Sequence, residues 1–476
     1  MKQKLEAALR RANRHAPILG LLSGALLSAA LAVYNVSGGP LSNLNDIGGW
    51  HNRLLFILMT AAVQMLVLAA AVLMSPRDVR RMALRELLVT AGLFILLLAI
   101  NHKSYLFVNQ LLPLVRRMDA VGLSAIGEMQ LNLSAPTATA LYLLTRGPIY
   151  DMYTVKLACS ACFLLLALLA ARAADKRGWG LRSEALLLLC LILPQGFLAA
   201  GSAPQTDVFA ALMLALALTM LNEKRPLAGM LLYGAALAFS GAALYALPLV
   251  AALYRKSGAK PLHAALAAAV PLAACLPAVL GGVPVLKALG SLVAANFAVP
   301  DYASGVPNLM SAFPRAALEE MPEYALIQAF PEIDAVTNAP VVYTQAHFEL
   351  LMRGLIFAAL AMFVGLCAWL KQDKRASKLR KALMLALGAM LLCPGAGMGM
   401  WLPLCMLCLA AILKEPQTRL PACMVLFATA GGCCYPATGE TLLRPVYAFA
   451  ICAAALFMLL GVIPTAKRQE VNDNAG

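Results

Sequence analysis

Charge is scarce in this chain. Asp, Glu, Lys and Arg make up 13% of its 476 residues, where an ordinary soluble domain carries about 25%, and that scarcity excludes the soluble globular class. Internal repeats and low-complexity linkers are also missing, so neither a solenoid nor beads on a flexible string is expected. No metal-loop spacing is present: Glu319, Glu320, Glu332 and Asp334 fall in no dedicated pattern. Cysteine is plentiful at 12 copies, but polar support around it is lacking. The pairs Cys159/Cys162 and Cys405/Cys408 sit inside apolar runs, which points to packing rather than metal. Neither a cofactor nor a metal is expected.

What remains is hydrophobic, at 62% of the chain. Apolar runs long enough to cross about 30 Å of hydrocarbon recur throughout. They cover 16–34, 53–74, 84–101, 153–172, 184–200, 206–221, 261–281, 354–370, 382–396, 399–413, 420–436 and 446–464. The stretch 226–254 is too long for one span and is broken by "FSGAA" at 239–243, with Arg225 and Arg255 at its ends. It reads as two short helices that enter and leave from one side. The expected fold is all-α, a polytopic membrane helix bundle of about 12–14 segments with long outer loops.

A formal net charge of +15 would raise nucleic acid in a soluble protein. Here the bases lie in patches beside the apolar runs, as in "RDVRR", "NEKR", "YRKSGAK" and "KQDKRASKLRK". These are orientation signals that place both termini in the cytoplasm, with no nucleic-acid partner. The N-terminal run ends in "ALA" at 30–32, which resembles a signal peptidase site, and the segment after it starts outside whether or not it is cut. Acids map to the other side, including Asp119, Asp151, Asp207 and Asp301, so aqueous chemistry is expected at the outer face. Two outer segments are long, 102–152 and 282–353. Within them "LLPLVRRMDAVGLSAIGEM" at 111–129 and "VLKALGSLVAANF" at 285–297 fit helices lying along the interface.

One aspartate stands out. Asp207 opens a membrane-length apolar run two residues after Gln205, within "GSAPQTDVFA". A carboxylate there needs water, a cation, a bundle cavity or the N–H groups of a helix start, so a site and a helix cap are both open readings.

The segment from "LPQGF" at 193–197 to "LYRK" at 253–256 resembles the bacterial relatives of the GPI mannosyltransferases, which are GT-C-type glycosyltransferases. The family carries an outer "WGQxD" loop, a basic cytoplasmic turn and a glycine-rich hairpin ending in "LP". Gln205, Asp207, Pro226, Gly229, Gly234, Ala238, Phe239 and Pro248 fall on that pattern. Upstream, Pro136, Tyr142, Lys156 and Leu157 match a second family segment, and downstream Pro307 and Asn308 match the "PNxY" site. The likeness covers roughly 84–440. It sets residues 1–83 apart as an extra helix pair, leaves 84–464 as the GT-C-like domain, and makes 465–476 a cytoplasmic tail.

The resemblance implies transfer of a hexose, typically mannose, from a polyprenyl-phosphate donor to a lipid or glycan acceptor. The reaction would take place at the outer face of a bacterial cell membrane. Inverting transfer needs a general base and cationic contacts to the departing lipid phosphate. Candidates for the base are Asp119, Asp207 and Asp151, the first two foremost. Candidates for substrate binding are Gln205, Asn109, Arg116, Arg117, Tyr142, Arg146, Lys156 and Asn308, with Arg444 also near the outer interface. For each cation a snorkelling side chain is the alternative.

The chain departs from the pattern in four places. Asn109 stands nearest to the family's early catalytic acid, Ser240 replaces the hairpin lysine, and the tryptophan before "GQxD" is missing. The charged motif near the C-terminus is matched by "GAGMGMW" at 395–401, which has no charge at all. A GT-C-like protein that binds a lipid-linked sugar or a partner transferase without reacting is therefore the second expectation. A transporter or flippase is the third, disfavoured because no symmetric pair of broken helices appears.

Overall fold

A computed structural model describes most of residues 111–297, together with 358–370, 377–392, 397–415, 418–432 and 444–462. Excluded within the first stretch are 129–132, 147–150, 180–182, 184–185, 188, 191–192, 203–204 and 259. The expectations for 1–110, including three apolar runs and Asn109, and for Asn308 and the acids at 319–334 lie outside the described residues. Among the described residues all regular structure is helical.

The principal helices are α1 (Leu112–Val121), α2 (Ala135–Thr145), α3 (Asp151–Asp175), α4 (Asp207–Asn222), α5 (Pro226–Phe239), α6 (Leu247–Lys256), α7 (Pro261–Leu280), α8 (Val285–Phe297), α9 (Ala358–Leu370), α10 (Lys378–Leu392), α11 (Met398–Lys414), α12 (Arg419–Gly432) and α13 (Arg444–Val462). Two of them, Thr154–Asp175 within α3 and Pro261–Leu280, are long and apolar enough to cross a membrane. Others, including α4, α5, α9 and α11, are apolar but shorter. Their ends coincide with breakers the sequence carries: Pro226 starts α5, Pro248 starts α6, and Gly397 precedes α11.

The main core is built around α4, which packs against α3, α5, α6 and α11. Beyond α11 lie α10 and α12, and α13 closes on α12. Glycine makes the tightest approaches possible. A Cβ at Gly229 would sit 2.7 Å from Leu221 Cγ of α4, and one at Gly234 would sit 2.6 Å from the Ala267 carbonyl oxygen of α7. With nothing larger than hydrogen there, α5 is held between two neighbours at backbone distance.

The two short helices expected within 226–254 are present. Ser240 is extended (φ −151°, ψ 125°), a 3-10 turn runs from Gly241 to Ala246, and α6 resumes at Leu247. A second, smaller apolar cluster joins Leu114, Val115 and Met118 of α1 to Ala135 and Ala138 of α2, Cys275 and Ala278 of α7, and Ala288 of α8. The stretches 112–121 and 285–297, expected as helices from their amphipathic pattern, thus pack on the far end of α7.

Candidate functional site

The end of α5 is sealed by the start of α2. Ser134, the N-cap of α2, donates its hydroxyl to the Ala238 carbonyl at 2.6 Å, and Thr137 donates to Phe239 at 2.7 Å. These are carbonyls that a helix C-terminus leaves without internal partners. Ser291 of α8 accepts the Ala135 N–H at 2.8 Å, so three elements meet at this point.

The next residue, Ser240, is buried and turns back to α4, where its hydroxyl donates to the Asp207 carboxylate. That carboxylate also accepts the backbone N–H of Gly397, the residue just before α11. Gln205 completes the arrangement: its side-chain oxygen accepts the Gly399 N–H at 2.9 Å. Helix α11 has no side-chain cap of its own. Its open N–H groups are taken instead by two residues almost 200 positions away in sequence.

Close seating depends on glycine. A Cβ at Gly397 would overlap the Asp207 carboxylate, and one at Gly399 would lie 2.6 Å from the Val208 nitrogen. Asp207 is half-buried and opens the first turn of α4. It therefore places its negative charge near the N-termini of two helices at once. The cap reading left open from sequence concerned α4 itself, which has no side-chain cap; the Asp207 carboxylate bonds instead to the residue before α11.

Behind Gln205 stands α3. The Cys159 thiol donates to the Gln205 carbonyl at 3.6 Å, and Ser160 donates to the Ala200 carbonyl at 3.3 Å. Ala200 belongs to a π-helical turn, Phe197–Ser202, that leads into the Gln205 segment. Lys156, one turn before Cys159, shares that face of α3 and is wholly buried. Sequence placed its ammonium at the outer interface, snorkelling or on a phosphate. The structure encloses it in the core, which excludes the snorkelling reading.

The remaining candidates lie elsewhere. Arg146 stacks on Tyr142, its guanidinium 4.3 Å from the ring centroid, at the end of α2 opposite Ser134. Arg116, Arg117 and Asp119 are exposed on α1, while Leu114, Val115 and Met118 form its buried side. Asp119 shares no hydrogen bond with any residue of the Asp207 cluster, among the described residues. Asp151 begins α3 and Arg444 begins α13.

Gly397 and Gly399 were visible in sequence only as a segment stripped of charge. Their usable signal was the G-x-G spacing immediately before a long apolar run. One turn into α11, Trp401 is buried, and its indole N–H has no partner among the described residues. Among the described residues no group of three or more His, Cys, Asp or Glu is placed to hold a metal ion.

No protein family, no curated protein and no solved structure matches the chain.

Proposed function

We propose that the chain is a polytopic helical membrane protein of the bacterial cell membrane, with both termini in the cytoplasm. On this reading it transfers a hexose, mannose foremost, from a polyprenyl-phosphate donor to a lipid or glycan acceptor outside. Support for the membrane comes from α7, on which Leu272, Leu276 and Leu280 are exposed, and from Phe449, Leu456 and Phe457 on α13. An apolar surface of that extent calls for hydrocarbon.

The observation that carries the chemistry is convergence. Segments that the sequence singled out separately, "GSAPQTDVFA", "FSGAA" and "GAGMGMW", meet the start of α2: Ser134 and Thr137 hold the Ala238 and Phe239 carbonyls, the adjoining Ser240 bonds Asp207, and Asp207 bonds Gly397. In this proposal Asp207 takes the acceptor hydroxyl proton and Gln205 orients the sugar. The Trp401 N–H serves the phosphate.

A second reading rests on the same bonds. The Asp207 carboxylate accepts from Ser240 and Gly397, and Gln205 holds Gly399, so both side chains already have structural work. On this reading the protein binds a lipid-linked sugar or a partner transferase without reacting.

The test is incubation of the purified chain with labelled polyprenyl-phosphate mannose or glucose and membrane acceptors. Transfer that disappears in Asp207→Asn while the variant melts within a few degrees of the wild type supports the transferase. Donor binding without turnover in the wild type supports the second reading. No binding of either donor overturns the transferase and the sugar-binding form of the second reading.

A further inference from the structure

One pole of the bundle gathers the ends of several helices. Lys176, just past α3, pairs with Glu223 at the end of α4. Lys414, the last residue of α11, lies 4.8 Å from the ring centroid of Trp179, also past α3. Glu415 accepts from Ser377, which precedes α10, and lies 3.8 Å from Arg380. The α4–α5 turn belongs to this pole by continuity. So do the end of α6 and the start of α7, since α6 returns along α4 and α7 starts beside α5.

Charges of opposite sign are treated differently here. The acids Asp175, Glu223 and Glu415 are half-buried and engaged, whereas Arg172, Arg177, Lys224, Arg225, Arg255 and Lys256 are exposed. Among the described residues, the surface shown to the outside of the molecule at this pole is therefore almost purely cationic.

Backbone geometry adds an independent sign. Lys224 adopts φ 60°, the left-handed region, in a turn closed by the Arg225 N–H on the Met220 carbonyl at 2.9 Å. Glycine is the usual occupant of such a helix-terminating position. A lysine here gives up conformational ease and projects a charge from the tip of the turn.

We propose that this pole docks on anionic phospholipid headgroups. The proposal rests on the membrane reading above and is independent of whether any sugar is transferred. Each Lys or Arg near an anionic leaflet contributes about 1 kcal/mol, or roughly 5-fold in affinity, and the attraction fades with salt.

The experiment places the full chain in vesicles of phosphatidylcholine, with or without phosphatidylglycerol, and follows thermal unfolding. The wild type is expected to melt higher in the anionic vesicles, with the gap closing as salt is added. Lys224→Gly relaxes the turn, so this variant keeps its stability in neutral vesicles. Combined with Arg172→Gln it is expected to narrow the gap between the two vesicle types. Equal melting of the wild type in both, or an undiminished gap in the double variant, overturns the proposal. So does an equal rise on adding inorganic phosphate to neutral vesicles, which would assign the pole to free anions. A chain that fails to enter vesicles at all overturns the membrane reading itself.

Discussion

Gln205 and Gly399 are 194 residues apart in sequence, and the side-chain oxygen of the first accepts the backbone N–H of the second at 2.9 Å. Gln205→Ala leaves that buried N–H without a partner at the start of α11. An orphaned buried donor costs about 1–3 kcal/mol. The variant is expected to show a lower thermal midpoint in detergent.

Gly397→Ala drives a methyl group into the Asp207 carboxylate. Overpacking of this kind costs about 1–3 kcal/mol. Because the overlap is with the Asp207 side chain, and Gln205 Oε1 is only tight at 3.3 Å, the cost is expected to shrink in an Asp207→Gly background, where space opens. A double-mutant cycle on thermal or denaturant stability reads the coupling; additive effects would show that the clash lies elsewhere.

Gly234→Val is expected to push α5 and α7 apart, since its Cβ would meet the Ala267 carbonyl oxygen at 2.6 Å and Val270 Cβ at 2.8 Å. Gly290→Ala on α8 is the internal control, because nothing lies within 4 Å of its added Cβ. Alanine in an exposed helix gains about 0.5–1 kcal/mol over glycine. Melting of both variants side by side should move the midpoints in opposite directions.

Glu223 makes stability depend on acid. The Lys176 hydrogen bond, aided by the charges of Lys176, Arg225 and Arg172, holds its carboxyl below the ordinary 4.5. A depressed carboxyl contributes stability that is complete above the unfolded value and lost as pH falls through the folded one. The Lys176 contribution should thus fade below about pH 4.5, the ordinary glutamate value. Stability measured against pH should have a shallower acid limb in Lys176→Ala, and added salt should flatten the wild-type limb as well.

Much of the helix layout was written locally. Pro226 marks where α5 starts, Ser240–Gly241 where it stops and Pro248 where α6 begins, and the expected break lies between them. The amphipathic stretches 112–121 and 285–297 are helices for the same reason: their periodicity is short-range information. The site was legible only in pieces. Asp207 and Gln205 were conspicuous because polar residues in an apolar chain are rare. The partners they meet, Gly397 and Gly399, were unremarkable because what matters at those positions is the lack of a side chain. The burial of Lys156 was illegible for a related reason. Residue type and distance from a helix end suggest that a lysine reaches water, but only the packing of α3 against the 197–205 segment decides whether its stem has a way out.

The seam between α2 and α5 has a consequence for solvation. The positive end of one peptide dipole stack abuts the negative end of another, and two hydroxyls bridge the gap. The two half-charges cancel where they touch. A chain built this way can stop and restart a helix in a medium as poor in water as oil, and spend no ionised residue on the junction.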